Sequence, residues 1–61
     1  MGTKDMLNRS ITYEEALLRN YRQYTAQADD TEIGTLFTKL AQEKRQHIEE
    51  LKSMLKRYCK P

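Results

Sequence analysis

The sequence predicts an all-α fold, an antiparallel two-helix hairpin that dimerises into a four-helix bundle. Three observations carry this prediction. From Ile33 to Tyr58, residues at alternating steps of four and three read Ile33, Phe37, Leu40, Lys44, His47, Leu51, Met54 and Tyr58, an apolar seam interrupted only at Lys44 and His47. A second row runs through the N-terminal half as Leu7, Ser10, Glu14, Leu17, Tyr21, Tyr24 and Ala28, widened on one side by Ile11, Leu18 and Thr25. Between the two rows stands one short polar break, Asp29-Asp30-Thr31, and too short a connection leaves the two helices no choice but to run antiparallel as neighbours.

Each element has its own signals. The first helix, over about residues 4–28, has Thr3 as a candidate N-cap and Asp5 in its first turn. A competing start lies at Thr12, with Glu15 three residues later in capping-box register. The pairing of the two helices favours the longer one. The turn covers 29–31, where Asp30 caps the second helix and Glu32 sits in its first turn. That helix runs over about 32–59 and ends before Lys60-Pro61.

Composition bounds the rest. Sixty-one residues make one domain, 1–61, with a modest core. Charged residues are 33% and hydrophobic ones 38%, with no tryptophan, as in long soluble helices. The net charge of +2 comes from 11 basic and 9 acidic residues mixed along the chain, which argues against nucleic acid or a membrane surface as partner. No apolar run approaches the roughly 20 residues a membrane span needs, and no signal-peptide core opens the chain. The single Cys59 excludes an intrachain disulfide framework and suits a reducing compartment, so the expectation is cytoplasmic.

Folding the hairpin about Asp29–Asp30 places Glu14 level with residue 45, between Lys44 and His47. The three ionisable interruptions of two separate rows, Glu14, Lys44 and His47, therefore meet at one height. Each helix would be roughly 38 Å long at ~1.5 Å per residue. A lone hairpin would leave Leu36, Ile48, Leu55, Leu18 and Ile11 uncovered, so a homodimer is expected. In that bundle Leu17 and Leu40 are buried, while Arg22, Gln23, Arg45 and Glu49 face water.

Glu14-Glu-Ala-Leu-Leu-Arg-Asn-Tyr21, then Ala28, then Leu36-Phe37-x-x-Leu40-Ala41-x-x-Lys44-x-x-His47-x-x-x-Leu51 resembles the rubrerythrin-type branch of the ferritin-like superfamily over roughly Glu14 to Leu55. It resembles one helix pair of that family's bundle, and the N-terminal Lys4-Asp5-Met6-Leu7 is more loosely similar to bacterial spore-coat relatives. The resemblance implies a ferritin-like bundle in which Glu14 and His47 stand where the family has ligands of a di-iron centre. Where the family carries the Glu of its Glu-x-x-His motif, this chain has Lys44, and an ammonium has no lone pair to offer a cation. Lys44 would instead neutralise Glu14. Glu43 shares a helix face with His47 four residues on, so Glu14, Glu43 and His47 from two chains would still offer enough ligands for iron or zinc.

Two functions follow. One is a small non-catalytic homodimeric module of ferritin-like ancestry with a degenerate di-metal site, structural or partner-binding. The other is a rubrerythrin-like iron- or zinc-binding protein with an oxidoreductase or metal-handling role. Absence of cysteine pairs argues against a self-sufficient peroxidase. Tyr21 and Tyr24 read as core aromatics, Cys59 as a bystander, and Lys52, Lys56, Arg57 and Lys60 as a solvated cluster that complements the helix dipole.

Overall fold

In the computed structural model, which describes residues 2–58, two α-helices form and, among the described residues, no strand: α1 spans Thr3–Gln27 and α2 spans Thr31–Tyr58. They pair along their length as an antiparallel hairpin measuring 49 × 17 × 12 Å. The second start signal is unused. Thr12 lies inside α1, its hydroxyl donating to the Asn8 carbonyl at 3.1 Å, and Thr25 back-bonds to Tyr21 at 2.9 Å in the same way. The first turn differs from expectation: Thr3 is already helical, and Gly2 takes the N-cap without a side-chain hydrogen bond. The expected end of α2 at Cys59 lies outside the described residues.

Three residues, Ala28 to Asp30, connect the helices. Ala28 is extended (φ −67°, ψ 127°) and stops α1. Asp30 starts α2, its Oδ1 accepting from the amides of Glu32 at 2.8 Å and Ile33 at 3.3 Å, which satisfies two of the four orphan donors of the first turn. A Cβ on Gly34 would stand 3.8 Å from that of Ala28, so the chain returns on itself in ordinary contact.

The seam lies one position from where the sequence rows put it. Between the helices stand Gly34, Phe37, Ala41, Lys44, Ile48, Leu51 and Leu55 from α2, against Leu7, Ile11, Glu14, Leu18, Tyr21 and Thr25 from α1 and Ala28 just past its end, all buried or half-buried. Ile11 at 8% exposure, Ala41 at 6% and Ile48 at 8% form the core proper. Ile11 and Ile48, expected to be left uncovered, are thus its centre. Ile33, Met54 and Tyr58 flank the seam and are exposed, while Leu17 and Leu40 are only half-buried. Arg22, Gln23, Arg45 and Glu49 are exposed as expected. Gly34 and Ala41 on the seam let the helix axes approach closely, which leaves Leu40 and Ile33, one position away, at the flank. Near the turn the seam is aromatic, with Phe37 packed on Tyr21 (centroids 5.9 Å, 30°) and Tyr24 (5.3 Å, 59°).

No helix among the described residues is long and apolar enough to cross a membrane.

Candidate functional site

Glu14 sits near the middle of α1, and Lys44 and His47 one turn apart near the middle of α2. The antiparallel pairing brings all three together. Lys44 Nζ lies 3.2 Å from Glu14 Oε2 and 3.4 Å from Oε1, and His47 Nδ1 lies 2.8 Å from Oε1. Both oxygens of the one carboxylate therefore have partners within the chain. Because a carboxylate only accepts, Nδ1 of His47 carries a proton, and Nε2 is the ring atom left outside this contact. The side chains of Glu14 and Lys44 are 18% and 19% exposed, that of His47 48%.

Desolvation between the helices raises the Glu14 carboxyl. The hydrogen bonds from His47 and Lys44, together with their charges, lower it by more and leave it below its ordinary value. A carboxylate with a depressed folded-state pKa contributes stability that is present above its unfolded value and is lost as pH falls through the folded one. Acidification through the carboxylate range should therefore lower the melting temperature of the natural protein. Glu14→Gln should remove that share of the dependence and give a flatter acid limb in thermal scans. Superimposable acid limbs would mean that the ion cluster contributes nothing.

Glu43, the third expected ligand, is exposed on α2 and does not complete a cluster with Glu14 and His47 inside one chain. Among the described residues no three His, Cys, Asp or Glu side chains converge closely enough to hold a cation. The donors of one chain, a carboxylate taken up on both oxygens and an imidazole beside an ammonium, do not fit a di-iron centre. A further ion pair, Lys52 to Glu15 at 3.8 Å, is largely solvated and contributes at most about 1 kcal/mol.

The sequence rows also missed the setting of His47. An open groove of about 810 Å³ runs beside it, lined by Ser10, Tyr13, Glu14, His47, Leu51 and Met54 among others. Ser10, Tyr13, Leu17 and Tyr24 follow the same three-and-four spacing as the seam, one row over. That periodicity was the signal available for placing Tyr13 next to the polar layer. No protein-family model, curated protein or solved structure matches the chain.

Proposed function

We propose that this protein is a small non-catalytic homodimeric helical module of ferritin-like ancestry, structural or partner-binding, in which a half-buried ion cluster stands where relatives of that type hold metal. The observation that carries this reading is the occupancy of Glu14: one oxygen faces Lys44 at 3.2 Å, the other His47 at 2.8 Å. The ammonium of Lys44 beside that carboxylate repels any cation placed there and itself has no lone pair to offer one. The ancestry rests on the residue pattern from Glu14 to Leu55 alone.

One feature favours a second reading, a metal protein that uses Glu14, Glu43 and His47 of two chains with iron or zinc. A carboxylate on Nδ1 that orients the imidazole and leaves Nε2 outward is the arrangement metal-binding histidines use. Mass-spectrometric metal analysis of the purified protein, with its solution mass, separates the two. The module reading expects well under one iron or zinc per dimer and no gain in melting temperature on adding either metal. Stoichiometric metal that resists dialysis establishes the second reading instead.

A further inference from the structure

Among the described residues, the seven large hydrophobic side chains that the hairpin leaves exposed fall, by helical spacing, on one of its two broad faces. They are Met6, Tyr13 and Tyr24 of α1 and Ile33, Leu36, Met54 and Tyr58 of α2, between 45% and 74% exposed. Helical spacing puts the half-buried Leu17 and Leu40, and His47, on that same side. The opposite face carries Glu15 and Arg22 from α1 and Thr38, Gln42, Arg45 and Lys52 from α2, and it holds the Lys52–Glu15 pair. A solvated monomer scatters its exposed apolar residues, and this hairpin segregates them.

We propose that this apolar face is the dimer interface, occupied by the same face of a second copy through a twofold axis, with His47 of both chains at the centre. The inference deepens the homodimeric reading above by assigning its surface. Three observations favour a second copy over another partner. A compact monomer of 7.3 kDa should expose roughly 4200 Å², whereas this hairpin exposes 5020 Å². The excess, roughly 800 Å², is what one partner contributes to an interface of standard size. The apolar rows run from Met6 to Tyr24 and from Ile33 to Tyr58, so the occupant must match the hairpin in length and breadth, as the hairpin itself does. Finally, among the described residues the core of one hairpin is three side chains, so whatever covers this face must be present whenever the chain folds.

The position of the polar layer fits the symmetry. Glu14 and His47 lie near mid-height, so a twofold dimer with full overlap brings the two layers level whether the turns point the same way or opposite ways. Each Nε2 of His47, outside its own chain's cluster, then faces the partner across the groove that Tyr13 and Ser10 line. The polar centre is complete only with both chains.

Sedimentation equilibrium of the full chain at micromolar concentration should give twice 7.3 kDa. Tyr13→Lys combined with Leu36→Lys should raise the dissociation midpoint at least a hundredfold, whereas Gln42→Lys on the polar face should leave it within twofold. Because a charged variant can fail by unfolding, accessibility gives a second measurement in a Cys59→Ser background. A thiol-reactive probe should label Tyr13→Cys at least tenfold more slowly than Gln42→Cys above the dissociation midpoint, and equally fast well below it. A folded monomer, or a dimer in which the two sites label alike, overturns the assignment. A dimer of this kind that holds iron or zinc sinks only the non-catalytic reading, and a metal-free folded monomer sinks only the interface.

Discussion

Lys44→Glu should cost the protein about 3 kcal/mol at neutral pH. The substitution removes the ammonium 3.2 Å from Glu14 and puts a second carboxylate in its place. Breaking a buried ion pair from one side costs about 3–5 kcal/mol, and the lower end applies here because both side chains retain nearly a fifth of their exposure. Thermal denaturation followed by circular dichroism at pH 7 measures the loss. Acid should restore part of it by protonating one of the two facing carboxyls, the reverse of the natural protein's response. The same variant recreates Glu-x-x-His on α2, so ferrous iron or zinc should stabilise it by binding the folded form alone. The natural protein should show no such gain. If its melting temperature climbs strongly with either metal, the non-catalytic reading is wrong.

Ile48→Ala is expected to cost about 2–5 kcal/mol, the range for truncating a large aliphatic core residue. Ile48 is 8% exposed, on the seam one turn beyond Lys44, and among the described residues it shares the core with Ile11 and Ala41 alone. A core this small has little material to collapse into the space left behind. Urea denaturation should show the full loss as a shift in midpoint with little change in slope. A cost under half a kcal/mol would mean that the helices pack through the row of Ile33, Leu40 and Met54 after all.

That alternative row is the one the sequence displays most visibly. The spacings of Ile33-Phe37-Leu40-Lys44-His47-Leu51-Met54-Tyr58 and of Gly34-Phe37-Ala41-Lys44-Ile48-Leu51-Leu55 are equally regular and share three members. Periodicity establishes a helix and a broad apolar sector, and it leaves open which edge of that sector meets which neighbour. The row through Ile33, Leu40 and Met54 carries more apolar bulk, whereas close helix approach selects Gly34 and Ala41. The turn, the Asp30 cap and the meeting of Glu14 with Lys44 and His47 were legible because each rests on local chemistry or on counting residues from the turn. The start at Thr3 was misplaced by one residue, since Gly2 caps through its backbone and leaves no side-chain signature.

The three-residue connection also sets an order of assembly. Contacts across the hairpin span few residues beside the turn, as between Ala28 and Gly34, and 30 or more at the polar layer, as between Glu14 and Lys44. Closing short loops costs least, so pairing is expected to begin at the aromatic end, where Phe37 meets Tyr21 and Tyr24, and to advance outward. On that order the ion cluster should form on helices already aligned, after the rate-limiting encounter. A charge defect there should leave the folding rate nearly unchanged and appear as faster unfolding, so the Lys44→Glu protein would be short-lived rather than slow to form. Amide exchange should follow the same gradient, with protection falling from the turn toward the open ends of α1 and α2.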